Sequence, residues 1–370
     1  MGENILNKSV KILLIIFLLS LILVKGKPLL VPITFAALFS MLLLPLSLKL
    51  ENRGVNRALS IVLSILLIVL FFAGVIGLLA WQVNDMAQKA PEIEKNITEK
   101  VQQIKQQLST SFGISPQKQQ EMMQKQQQSS SGKTTSMISG AFASVGSILA
   151  DFLLMLVYIF LFMYFRTHLK KFVLRLVPKE EQGNTVKIIE NSRKVAQKYI
   201  TGLMLMIVGL WIMYSIGFAI AGVKSFFFFA VLCGLLEIIP FVGNLLGNAL
   251  TIIVALAEGG SMNVVIGILI TYAVVQFIQS YILEPMVVGS EVSINPVFTI
   301  IGIIAGEFIW GIPGMIVALP VLGIIKIVCD NVEPLKPYGF LIGEEKKKNN
   351  SKWIDKVKGW FGKSDSDKSG

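Results

Sequence analysis

Apolar residues fall in long blocks along this chain, and the length of each block predicts its element. Runs near the roughly 20 residues that cross a bilayer occupy 10–24, 29–48, 58–81, 138–165, 200–221, 225–257, 262–283 and 296–328. The sixth and eighth exceed a simple crossing and contain proline and glycine interruptions, so each predicts a broken helix or a re-entrant hairpin. The pattern predicts an all-α membrane protein of about eight transmembrane helices, broken or re-entrant in the C-terminal third. Lys8 and Lys11 precede the first run as in a signal peptide. No small-residue cleavage site follows, and Lys25, Gly26, Lys27 and Pro28 lead straight into the next run, so a retained helix is expected.

Between the blocks the periodicity changes. In 84–136, Ile93, Ile97, Val101, Ile104 and Leu108 recur at helical spacing, which predicts an external amphipathic helix. Residues 117–136 are rich in Gln, Ser and Lys, a composition that cannot bury a core. After the fourth run, Leu169, Phe172, Val173 and Leu176 alternate with basic residues, as in a helix lying on a membrane surface. Trp353, Ile354, Val357, Trp360 and Phe361 predict a similar helix in the tail. The units are an N-terminal scaffold (1–83), an external insert (84–136), span four with cytoplasmic helices (137–199), a transport core (200–334) and a basic tail (335–370).

Composition sharpens this picture. The 370 residues are 54% hydrophobic with a mean hydropathy of +0.68, too apolar for an ordinary soluble globule. The net charge of +11 sits in loops and tail, where topology and anionic lipid explain it without nucleic acid. Lys49, Arg53 and Arg57 crowd one short turn, and residues 166–198 hold nine Lys/Arg against three acids. The positive-inside rule puts both loops in the cytoplasm, with both termini beside them. The short KGK turn at 25–27 is basic yet external, and the larger loops outweigh it. Cys233 and Cys329 lie in apolar runs and are expected to be packed thiols. No nucleotide loop, hydrolase triad or metal-ligand cluster is visible, so neither an enzyme, a cofactor nor a metal site is expected.

The candidate chemistry lies between Lys224 and Lys326, where the only charges are Glu237, Glu258, Glu284, Glu291 and Glu307. A carboxylate in hydrocarbon is costly unless it faces protein, water or a permeating group. Glu237 precedes Pro240 and Gly243, which should break the helix; Asn244, Asn248 and Thr251 then line one side of the helix that restarts. Tyr272, Gln276, Gln279 and Ser280 share a helical quadrant, and Glu284 closes the row beside Pro285. Glu307 sits near the apex of a further Gly/Pro-interrupted pair, as a gate or ion residue or as an exposed surface group. Interhelical packing by the amides is the competing reading of these stripes. Asp151 is read as hydrogen-bonded to Ser144 or Ser147, and His168 as a solvated interfacial residue.

The order IPFVG (239–243), ILEPMVVG (282–289), INP (294–296) and GIPGMIVALPVLGIIK (311–326) resembles the autoinducer-2 exporter family of permease-like bacterial membrane proteins. Asn244 stands where many relatives carry proline. The resemblance implies a multi-pass protein of the bacterial cytoplasmic membrane, and a homo-oligomer with a pentamer as one form. It implies export of small polar signals or metabolites in some members and cation/proton antiport in others. Three functions follow: a secondary exporter of a small polar solute coupled to a proton or monovalent cation, a sodium (lithium)/proton antiporter, and a non-transporting scaffold.

Overall fold

The computed structural model describes residues 2–81, 149–237, 239, 243–283 and 294–344, with residues 2–6 by backbone alone. The external insert expected over 84–136, the tail helix around Trp353, Pro240, Glu284 and Glu291 lie outside the described residues. So do Ser144 and Ser147, the expected partners of Asp151, which is itself exposed.

All predicted apolar blocks are helical where described. The N-terminal helices are α1 (Gly2–Lys25), α2 (Lys27–Glu51), α3 (Arg57–Trp81), α4 (Leu149–Tyr164) and α5 (Arg166–Arg175). Then come α6 (Gln182–Ala221), α7 (Phe226–Leu236), α8 (Gly243–Ala257) and α9 (Met262–Ile278), which continues as a π-helical turn over Gln279–Leu283. Helices α10 (Pro296–Trp310), α11 (Ile312–Asn331) and α12 (Lys336–Ile342) close the described chain. Among the described residues, six helices are long and apolar enough to cross a membrane, and α4 with α5, bent by 67°, makes a seventh if the pair is taken as one span. Helix α10 adds a short leg of ~22 Å at 1.5 Å per residue.

Burial is inverted relative to a soluble protein. Leu13 and Phe17 on α1 are 65% and 61% exposed, and Ile220 on α6 is 82% exposed. Such an apolar exterior matches lipid rather than water. Three apolar cores lie inside it. One joins α2, α3 and α4 around Leu43, Ile61 and Ile159; a second joins α2, α6 and α11 around Leu38, Ile200 and Val317. The third packs Tyr214, Phe218, Phe229, Cys233 and Ile268 between α6, α7, α8 and α9.

Two helical hairpins set the architecture of the C-terminal third. Helix α7 has 11 residues, ~16 Å, and cannot cross the ~30 Å hydrocarbon. The chain instead doubles back through α8, and Lys224 Nζ donates to the Glu258 carbonyl at 2.8 Å, so both ends of the hairpin lie together. The sixth predicted run is therefore re-entrant. In the second hairpin α10 and α11 meet at Gly311, whose φ of 72° is a left-handed conformation that glycine adopts without strain. Gly306 and Gly314 bring the two backbones together: a Cβ added at Gly314 would lie 1.9 Å from the Gly306 carbonyl oxygen. The apex is held to the α1–α2 turn, where Trp310 Nε1 donates to the Leu23 carbonyl at 2.9 Å. At the far end, Asn184 Nδ2 donates to the Asn331 carbonyl at 2.9 Å, so α11 runs antiparallel to α6.

One polar clamp fixes the basic end. Arg166 donates to both Glu51 carboxylate oxygens, at 2.8 and 2.6 Å, and Ser47 Oγ donates to the same carboxylate at 3.1 Å. Arg57 donates to the Met163 carbonyl at 3.0 Å. The bend between α4 and α5 is thereby tied to the α2–α3 turn. His168 is exposed on α5, as expected of a solvated residue.

Candidate functional site

The break between α7 and α8 has a simple steric cause. Glu237 N–H still bonds the Cys233 carbonyl at 3.0 Å, Ile239 N–H bonds the Leu236 carbonyl at 2.8 Å, and Gly243 N–H bonds the Ile239 carbonyl at 3.0 Å. The turn is so tight that a Cβ on Gly243 would lie 1.7 Å from the Leu236 carbonyl oxygen. Only glycine fits there. Helix α8 restarts at Gly243 and presents Asn244, Asn248 and Thr251 inward, all buried.

Those amides join a chain of hydrogen bonds across three helices. Tyr214 on α6 donates its hydroxyl to Asn244 Oδ1 at 2.6 Å, and Asn248 Nδ2 donates to the Tyr214 oxygen at 3.3 Å. Asn248 Nδ2 also reaches the Asn244 carbonyl and Asn244 Oδ1, both at 2.9 Å. Asn244 Nδ2 donates to Gln276 Oε1 on α9, and Gln276 Nε2 donates to Ser280 Oγ at 3.1 Å. Beside this chain, Gln279 Nε2 donates to Glu237 Oε1 at 2.6 Å. The glutamines of α9 thus hold both sides of the break, Gln276 at the start of α8 and Gln279 at the end of α7. The π turn begins at Gln279 and buries its side chain almost completely, at 1% exposure; such turns recur at functional sites.

Two acceptors in this region are unmatched. Gln279 Oε1 and Asn248 Oδ1 are buried and accept no hydrogen bond among the described residues. A buried polar atom left without a partner costs about 1–3 kcal/mol, so the arrangement suits a donor that enters: a hydroxyl, an ammonium, a water or a cation. Tyr214 lies seven residues, ~10 Å, before the end of α6, and Glu237 follows ~16 Å of α7.

The other expected residues lie apart from the chain. Thr251 donates to the Gly247 carbonyl at 2.8 Å and touches Cys233 Sγ at 3.8 Å, within the packed α7–α8 interface. Tyr272 is half-buried on α9, one turn before Gln276, and takes no part in the chain. Glu307 is exposed on α10, in the other hairpin. Both cysteines are free and buried, as expected of packed thiols. Tyr214 is the participant that the sequence reading missed. Its signal was a phenol inside an apolar run, since a buried tyrosine hydroxyl usually needs a partner.

A family model described as "AI-2E family transporter" matches residues 12–333, which include both hairpins and the whole hydrogen-bonded chain. The chain belongs to this family. The AI-2E resemblance carried by the IPFVG, ILEPMVVG and GIPGMIVALPVLGIIK segments is thereby borne out. Among relatives, the chain is 27% identical over 194 residues to "Putative transport protein YrrI" of Bacillus subtilis (strain 168), covering 52% of this chain and 54% of that one. It is 21% identical over 283 residues to "Putative transport protein YhhT" of Escherichia coli (strain K12), covering 76% and 78%. The match thus spans about half the length of the first relative and about three-quarters of the second.

Proposed function

We propose that this AI-2E family member is a secondary membrane transporter that exports a small polar solute, autoinducer-2-like in size and polarity, through the region around the α7–α8 break. The observation that carries the reading is the pair of unmatched buried acceptors, Gln279 Oε1 and Asn248 Oδ1, with Gln279 also bonded to Glu237 at the end of α7. Broken helices that aim their ends at a midplane ligand are a recurring transporter device. Hydroxyl groups of the solute would take the place of the Tyr214–Asn244–Gln276 bonds, and Glu237, with Glu284 as second candidate, would couple a proton or monovalent cation. Pro240 and Gly243 would serve as the hinge, and Thr251, Tyr272 and Glu307 as outlying residues of the route. The distribution of basic residues supports a bacterial cytoplasmic-membrane protein with both termini inside; the family resemblance implies a homo-oligomer, with a pentamer the form to test.

The same acceptor-rich region favours a second reading, sodium (lithium)/proton antiport with the glutamates as the ion site. Purified protein in liposomes separates the two. Proton movement on adding sodium or lithium alone supports the antiporter; solute flux lost in Glu237→Gln and Gln279→Ala, with folding intact, supports the exporter. Fluxes untouched by both substitutions would refute the site, and no flux under any condition would leave the scaffold reading.

A further inference from the structure

We propose that an entirely apolar cavity next to the α7–α8 hairpin is a binding site for an apolar group, an aromatic ring pair or a short acyl segment. The cavity measures about 320 Å³ and lies between α2, α3, α4, α6, α7 and α11. Phe39, Phe72 and Phe152 wall it from the N-terminal helices; Leu235 from α7 and Ile316 and Pro320 from α11 close it from the two hairpins. An apolar cavity of roughly 150 Å³ stays dry and takes up benzene, so this one has room for about two such rings. Water finds no hydrogen-bond partner on these walls. The cavity is partly open, and left empty it would forfeit dispersion contacts along its walls. An apolar occupant is the chemistry that suits it.

The wall geometry favours aromatic or chain-like matter. Phe39 and Phe72 meet edge-on at 6.5 Å and 82°, and Phe72 and Phe152 at 5.8 Å and 73°, so ring faces as well as edges are available to an occupant. Because both hairpins supply walls, whatever fills the cavity touches the N-terminal scaffold and both hairpins at once. Trp211 reports on it: its indole stacks on the wall residue Phe71 at 6.3 Å and 12°. The site stands independently of the transport reading, since it uses none of the polar chain. The apolar group can come from a bilayer lipid or from a free solute.

The test uses the full chain with Trp81, Trp310, Trp353 and Trp360 replaced by phenylalanine, leaving Trp211 as the sole fluorophore. In detergent, 1-bromonaphthalene should quench Trp211 saturably. Ile316→Phe, or Leu203→Phe should the first fail to fold, should weaken that quenching about tenfold by filling the space. Ile253→Phe on the exposed face of α8 should leave it unchanged. Quenching that climbs linearly with probe and is equal in all variants overturns the site. In vesicles of acyl-brominated phosphatidylcholine, quenching removed by Ile316→Phe identifies a lipid chain as occupant. Saturable naphthalene quenching there, with no cavity-dependent effect of the brominated chains, identifies a free apolar solute.

Discussion

Tyr214 shows how much one hydroxyl can organise inside an apolar bundle. It sits between Asn244 and Asn248 and links α6 to the restart of the broken helix. Interhelical hydrogen bonds in membranes are modest individually, but removing this hydroxyl takes away the bonds that tie α6 to Asn244 and Asn248. Tyr214→Phe should lower unfolding stability in detergent by about 1–2 kcal/mol. Tyr272→Phe, outside the chain, should change it by less than about 0.5 kcal/mol. Equal effects would mean that the chain is not structurally coupled. Gly243 gives a sharper contrast. Its Cβ position collides with backbone, so Gly243→Ala should cost at least about 1–3 kcal/mol. Gly74, with nothing within 4 Å among the described residues, should accept alanine with a gain of up to about 1 kcal/mol. Thermal melts of the two variants check both, and a stable Gly243→Ala protein would argue against the tight turn.

At the scale of elements, the decisive feature is that helices α7 and α8 are each too short to cross alone yet pack as a pair. Interrupted backbone survives in a membrane only where neighbouring protein or water satisfies it, and here α6 and α9 flank the hairpin. The bend from α4 to α5 is a second such solution, held by the two-pronged Arg166–Glu51 pair. Both side chains are about one-fifth exposed, so the pair is partly screened. Arg166→Ala should destabilise by about 1–3 kcal/mol, with a smaller loss in high salt. A loss independent of salt would assign the effect to packing of the arginine stem instead.

For the whole molecule, the two hairpins make a topological statement that labelling can check. In a Cys233→Ala, Cys329→Ala background, single cysteines at Ser225 and Ser261 should react with a membrane-impermeant thiol reagent from one and the same side. Cysteines at Asn52 and His168 should react from the other. Labelling of Ser225 and Ser261 from opposite sides would turn the re-entrant hairpin into a crossing and remove the doubled-back break on which the proposed route depends.

Much of this arrangement was legible in the chain itself, because hydrocarbon imposes one-dimensional rules. The length of an apolar run sets whether it crosses, and Pro240, Gly243 and Gly311 mark where a run must break. The helical spacing of Asn244, Asn248, Gln276 and Gln279 shows which polar groups share a face. Those rules act along the backbone, so sequence alone determined the helical membrane class, the positions of the breaks and the polar stripes. What faces a stripe is set by packing between helices distant in sequence. Only the tertiary structure decided that the sixth run folds back, that Tyr214 completes the amide chain, that Gln279 meets Glu237, and that Glu307 and Thr251 stand apart. The aromatic cavity likewise belongs to the fold, since its walls come from helices that touch only after the bundle has formed.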